Sequence, residues 1–401
     1  MPELVINLDA LEHNLRLIRQ LEQRWRFTLL PVLKMVSSHP SVVSFLQERG
    51  IAQYGVADVW DHLAYSPMTP ARNQRVLINL SPQEQADDVV RLFARSAISN
   101  VTGFRALDAA ARRQGIHHET VLMVDLGDMR EGVPLQNALP LLHTVAAASC
   151  RAMDGCGAHV AGLGVNLGCL YGTCPDDENM IQLSQLAARA GRALGHPLQR
   201  VSLGGTVFWN WIAAQEGRLP RLPEHCLLEL RMGDPLLLGY DMYRNEPLKG
   251  GPFRTDLFRL STTVLEVTER DIKMPRHHVH NGQGLSPHCA LTGRRRRALT
   301  DCGSLHTDVS ALRLDLPGAR IVDYSGNYAI LDVTDCPQAP EPGDRVDFIP
   351  GYWAVARAAR TPQVVKTILC HQPPSPARHP DAFATTSLTD APCAAAGPEV
   401  S

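Results

Sequence analysis

Eight short runs of aliphatic and β-branched residues, separated by helix-periodic stretches, recur between about residue 28 and residue 240. They are TLLPVLKM, QYGVAD, RVLINL, SAISN, ETVLMVDLG, GAHVAGLG, RVSLGG and CLLELRMGD. Strands that are apolar on both faces belong in a parallel sheet covered by the helices that join them. Repeated eight times, this unit predicts an α/β architecture: a (β/α)8 barrel of the TIM type, assigned to residues 1–247. Pro40 to Arg49, Phe104 to Gly115 and Glu178 to Gly195 read as three of the helices, each ending at or near a glycine suited to a C-terminal cap.

From about Gly250 the pattern changes to short strands punctuated by Gly, Pro and Asp: FRLSTTVLEVTE, RRRRALTDC, ARIVDYSG, YAILDVTD and DRVDFIPG. Residues 248–371 are therefore expected to form a second, mostly β domain. Residues 372–401 are rich in Pro, Ala, Ser and Thr without an apolar period, which predicts a disordered tail. Ten cysteines without a CxxC pair are expected to be reduced thiols.

With 39 basic and 41 acidic residues, the chain has no charge excess to draw it to nucleic acid or to an anionic membrane, which favours small-molecule chemistry. The N-terminus, MPELVINLDALEHNL, is acidic where a signal peptide needs positive charge, and no apolar stretch approaches the ~20 residues of a membrane span. The expectation is a cytoplasmic protein.

In a barrel of this type the site is built where the strands end, so polar residues closing apolar strands are the candidates. Lys34 closes LPVLK; a partly desolvated amine there is a carbonyl nucleophile, the alternative being a surface lysine just past the strand. Arg130, in VDLGDMREGV, could hold a phenolate or carboxylate, or could pair at the rim with Asp125, Asp128 or Glu131. Ser202, Gly204, Gly205 and Thr206 run from SLGGT into the helical VFWNWIAAQ, where helix amides and hydroxyls bind phosphate; the other reading of Gly-Gly is a tight turn. Arg231 lies inside the apolar strand LELRM and must find an acceptor, either a cofactor ring nitrogen or an internal ion pair with Glu229 or Asp234. Gly233 and Asp234 could add backbone donors to the same phosphate.

LPVLKM, VDLGDMREGV, GLGVNLGC, SLGGT and LRMGDPLLLG, in this order, are similar to the motifs of the alanine-racemase fold type of pyridoxal 5′-phosphate (PLP) enzymes, and within it to the ornithine-racemase-like branch. The resemblance spans roughly residues 3 to 368. It implies PLP held as a Schiff base on Lys34, Arg130 near the phenolate or the substrate carboxylate, and Arg231 facing the pyridine nitrogen. It further implies phosphate binding by Ser202, Gly204, Gly205, Thr206 and Gly233, with Asn166 lining the pocket. An arginine opposite the pyridine nitrogen disfavours its protonation and weakens the electron sink, which suits removal and return of a Cα proton better than transamination. The implied activity is racemisation of ornithine or a similar free amino acid.

Lys34 would serve one face of the substrate. The family takes its second acid/base from a tyrosine of the partner's β domain, and the corresponding segment here, RDIKMPRHHVHNG, has none. The replacements considered are His278 or His280, Asp301, Cys302 and Tyr352; the histidines also read as a solvated loop. D-threonine aldolases of the same type place a zinc-binding His and Cys in a segment like IPGYWAV, where this chain has Tyr352 and Ala354, so no metal is expected. Arg294 to Arg297 read as a solvated strand face. A lyase, aldolase or epimerase on the same cofactor is the second reading; a non-catalytic PLP-binding protein is a third, set back because such proteins are single barrels. The β domain implies a homodimer with shared active sites, each closed against water by its partner. Cys169, Leu170 and Tyr171 are candidates for lining the substrate pocket.

Overall fold

Asn7 shows how local chemistry starts the fold: its side chain accepts hydrogen bonds from the amides of Asp9 (3.0 Å) and Ala10 (3.3 Å), ending strand β1 (Glu3–Asn7) and capping helix α1 (Leu8–Trp25). Leu11, Leu15, Ile18, Leu21 and Trp25 recur at helical spacing and are buried along one face of α1. The computed structural model describes residues 1–61, 71–149, 156–219, 221–244, 246–273, 277, 279–280 and 292–371.

After α1 come β2 (Thr28–Pro31), α2 (Pro40–Glu48), β3 (Tyr54–Val56), β4 (Arg75–Leu77), α3 (Ala86–Leu92), β5 (Arg95–Ile98) and α4 (Val101–Gln114). They are followed by β6 (His117–Asp125), the short β7 (Val133–Pro134), α5 (Leu135–Ser149), β8 (Gly157–Asn166), α6 (Asp177–Leu194), β9 (Arg200–Gly204), α7 (Val207–Ala214), β10 (Leu227–Met232) and α8 (Asp234–Leu237). All eight strand runs read from the sequence are present. They pair in parallel in the order β2-β10-β9-β8-β6-β5-β4-β3, with β7 added beside β6. A parallel bridge between Val32 and Gly55, with the Leu33 amide donating to the Gly55 carbonyl at 3.0 Å, joins the two ends of this order and closes the barrel.

Beyond the two-residue pair β11 (Tyr240–Asp241) and β12 (Glu246–Pro247), the chain builds an antiparallel sheet. Its strands are β13 (Phe258–Ile272), β14 (Gly293–Thr300), β15 (Leu312–Leu314), β16 (Arg320–Tyr324), β17 (Ala329–Asp332) and β18 (Arg345–Pro350), in the order β15-β18-β13-β14-β17-β16. Helix α9 (Tyr352–Arg360) and strand β19 (Val365–Leu369) complete it. Strand β1 belongs here and not to the barrel: it pairs antiparallel with β13 and parallel with β19. Nothing local marks β1 for this sheet, because both its partners come from the other half of the chain. Barrel and sheet together, Met1–His371, form one compact unit, and the predicted tail at 372–401 lies outside the described residues. No described helix is long and apolar enough to cross a membrane.

Candidate active site

A cleft of about 350 Å³ opens at the C-terminal ends of the barrel strands. Eleven of the residues singled out from the sequence line it: Lys34, Arg130, Asn166, Cys169, Gly204, Gly205, Thr206, Arg231, Gly233, Asp234 and Tyr352.

Lys34 begins a 3-10 turn, Lys34–Val36, just past β2. Its Nζ stands 5.8 Å from the centroid of the Tyr352 ring, which α9 delivers from the second sheet. Asp234 is buried at the start of α8 and accepts a 2.6 Å hydrogen bond from the Thr206 hydroxyl. Burial raises its carboxyl above the usual carboxylate range, against the lowering effects of that bond and of the Lys34 ammonium.

The glycines at the cleft are there because nothing larger fits. Gly205 has φ +108°, and a Cβ on it would lie 2.0 Å from the Leu167 carbonyl oxygen. A Cβ on Gly204 would meet Asn166 Oδ1 at 2.8 Å and Arg231 Nη2 at 2.9 Å. Thr206 stands at the N-cap position of α7 without a side-chain bond to the helix amides; the Phe208 and Trp209 amides donate to the carbonyls of Gly205 (3.1 Å) and Thr206 (2.9 Å).

Arg231 is threaded beneath them. Its Nη1 donates to the Ser202 carbonyl at 2.8 Å and its Nη2 to the Val165 carbonyl at 3.0 Å, so backbone acceptors, not Glu229 or Asp234, receive its hydrogen bonds. Burial pulls the guanidinium down to about 10, with Glu229 and Glu131 opposing, and it remains cationic at neutral pH. The Ser202 side chain does not reach the cleft. It points into the barrel one layer below and donates to Glu229, which also pairs with Arg95 at 2.6 Å and Arg200 at 3.7 Å.

Arg130 sits at the rim, paired with Glu131 as one of its sequence alternatives allowed. Neighbouring Asp128 is buried and accepts from the amides of Gly168 (3.0 Å), Cys169 (3.1 Å), Leu170 (3.1 Å) and Tyr171 (3.3 Å), which folds that loop so that Cys169 lines the cleft. Leu170 and Tyr171 point outward, 58% and 65% exposed.

Among the proposed second acid/base groups that lie in the described residues, the structure brings only Tyr352 to this chain's cleft. Asp301 accepts from the Thr263 amide at 2.8 Å and pairs with the Met1 ammonium at 3.0 Å. Cys302 is sealed in the sheet core, where burial pushes its thiol up to about 12. His280 lies in the β13–β14 connection, and His278 lies outside the described residues. Tyr243 is a cleft residue that the motif reading missed. Its hydroxyl is 3.7 Å from the Cys169 sulfur, and its only sequence signal is the aromatic-rich GYDMYR that follows β10. Burial first, then neighbouring acidic groups, raises both the Tyr243 and Tyr352 phenols above the ordinary tyrosine range.

Residues 6–213 match the family model described as alanine racemase, N-terminal domain. The chain belongs to the alanine racemase family. This family member is 24% identical to an ornithine racemase of Acetoanaerobium sticklandii over 92% of its own length and 99% of that protein's. It is 25% identical to a lysine racemase of Thermotoga maritima, over 91% and 98% of the two chains. Its fold is shared with an alanine racemase from Streptomyces lavendulae (TM-score 0.66, 16% identity, 92% and 97% coverage) and a D-threonine aldolase from Filomicrobium marinum (TM-score 0.63, 18% identity, 92% and 91% coverage).

Enzymes of the alanine racemase family depend on PLP, and the family member's cleft fits that group. Asn166 Nδ2 is buried without a hydrogen-bond partner among the described residues, a donor left over by the protein itself. Gly204, Gly205 and Gly233 all line the cleft with no side chain of their own, a lining that a phosphate could approach. The residues that would hold PLP are Lys34, Asn166, Gly204, Gly205, Thr206, Arg231 and Gly233.

Proposed function

We propose that this protein is an amino-acid racemase that works on a free amino acid with PLP carried by Lys34. The observation that carries the reading is the convergence, on one cleft, of a strand-end lysine, a buried arginine that stays cationic, a glycine turn at a helix start and an orphaned amide donor. PLP, when bound, supplies the conjugated ring that makes the Cα–H of the attached amino acid acidic.

The protein's residues do the rest. Arg130 orients the substrate carboxylate from the rim, with Glu131 holding its guanidinium in place. The Lys34 amine takes or returns the Cα proton on one face. The opposite face needs a second proton carrier, and the cleft offers two phenols, Tyr243 and Tyr352, both kept protonated by burial. Arg231, fixed on the Ser202 and Val165 carbonyls and cationic at neutral pH, would meet the cofactor as a donor that keeps its own proton, which suits return of the Cα proton better than side reactions.

Met129, Leu170 and Trp353 are 61%, 58% and 63% exposed, and each lines the cleft or adjoins a lining residue. They support a homodimer in which the second copy covers the cleft and excludes water. A monomeric mass in light scattering at working concentration would remove this part of the reading. The described cysteines are all free thiols, which supports a cytoplasmic setting.

The test is incubation of PLP-loaded protein with L-ornithine, L-lysine, L-alanine and other amino acids in deuterated water, followed by chiral separation and mass analysis. A D-isomer with one deuterium at Cα is expected. Exchange without inversion, or loss of a fragment, would turn the assignment to a one-base or lyase reaction. Tyr243→Phe and Tyr352→Phe separate the two phenols, since only the true carrier lowers kcat by about 10² or more.

A further inference from the structure

The backbone of Lys34 is held from the second sheet as firmly as its side chain faces the cleft. Immediately after Lys34 the chain passes through two consecutive non-glycine residues in the left-handed region, Ser37 (φ 47°) and Ser38 (φ 52°), both buried. L-residues disfavour that region, so the turn persists only where its surroundings impose it.

The surroundings are specific. The Ser38 hydroxyl donates to Asp61 Oδ2 at 2.8 Å, and the Asp61 carboxylate is only 4% exposed. Arg360, the last residue of α9, donates through Nη2 to the other Asp61 oxygen at 3.3 Å and to the Lys34 carbonyl oxygen itself at 2.6 Å. Its Nη1 is fixed on the Ala356 carbonyl at 3.0 Å. Helix α9 thus reaches Lys34 twice: Tyr352 at its first turn faces the amine, and Arg360 at its last turn grips the peptide carbonyl.

We propose that Arg360 and Asp61 are positioning residues for Lys34, a guanidinium–carboxylate clamp that fixes the lysine's backbone and so aims its amine. The clamp rests on the reading of Lys34 as the cofactor lysine. It makes α9, contributed by the C-terminal part of the chain, a working part of the barrel's site. Neither residue touches the cleft's reacting atoms; both act through Lys34.

The test uses the full chain with Arg360→Met, Arg360→Lys and Asp61→Asn. In the cofactor-free protein, hydrogen exchange of the peptide covering Lys34–Ser38 should quicken by about tenfold in Arg360→Met and Asp61→Asn, equal to about 1.4 kcal/mol of local opening, while a peptide from β8 exchanges as in the parent. In the PLP-loaded protein, the pH at which the visible absorption titrates should move, and kcat should fall about ten- to a hundredfold with KM little changed. Arg360→Lys, which keeps one cationic donor, should recover part of each effect. Unchanged exchange around Lys34 would overturn the clamp. Faster exchange with the parent's absorption titration and kcat would overturn it too, by showing a merely structural contact. Because the exchange and absorption readouts need no substrate, they decide the clamp even if no amino acid in the panel is racemised.

Discussion

The barrel and the second sheet both carry many charges, but they spend them differently. Inside the barrel, Arg95 and Glu229 meet at 2.6 Å with side chains 1% and 9% exposed, and Arg200 and the Ser202 hydroxyl close around the same carboxylate. On the sheet, the run Arg294 to Arg297 alternates along β14 and pairs outward: Arg294 with Glu269, and Arg296 with Glu341 at 3.2 Å with side chains 37% and 72% exposed. The buried set tolerates no loss of a member, because a charge left alone there cannot be rehydrated. The exposed set is screened and replaceable. Only Arg294 and Arg296 of the basic run form a solvated face, since Arg295 faces the buried Asp332 and Arg297 Nε is buried, whereas the buried pairs support the floor of the cleft.

This contrast can be tested in descending order of effect. Lys34→Ala should lower racemisation by about 10³ or more and leave no borohydride-fixed PLP adduct in the intact mass; an adduct on another lysine would move the site away from the barrel top. Glu229→Leu should destabilise by about 3–5 kcal/mol in urea unfolding, since it strands Arg95 in the barrel, whereas Arg200 keeps its ion pair with Glu119 at 3.1 Å. A loss under 1 kcal/mol would erase the distinction between the two regions. Acid should act on the barrel through His118, which is buried against Ser96 and held down to about 3 by burial and then by the Arg72 cation. The unfolded chain takes up that proton below its ordinary 6.5 while the folded chain does not, so stability should fall as pH drops from about 6.5 toward about 3. Urea midpoints measured across that window should decline less steeply in His118→Gln. Smallest of all, Glu341→Ala on the sheet should change stability by less than about 1 kcal/mol, and less still in high salt.

Much of the barrel was legible because its strands are apolar on both faces and its helices end at glycines, both local signals. β1 and β19 were not, because each is a five-residue strand whose identity depends on a partner from the far end of the chain. At the site, Lys34, Arg231 and the Gly204-Gly205 turn stood out as residue types out of place in apolar strands. Ser202 looked equivalent to Gly204 in the same motif, but two residues along a barrel strand is one layer of depth, which put it against Glu229. Tyr243 and Arg360 carried no motif; only the packing of the β10–β12 loop and of α9 brings them to bear on the cleft and its lysine.

The pairing of β1 with β13 and β19 has a consequence for how the molecule is made. Strand β1 finds its neighbours β13 and β19 only after the barrel segment that separates it from them has been synthesised. A chain cut after the barrel would carry β1 as an unmatched edge, open to pairing with other chains. With so much of its second sheet formed from sequence-distant strands, the protein should be a slow folder whose late step pairs β1 with β13 and β19, and a circular permutant linking β19 to β1 should shorten that step.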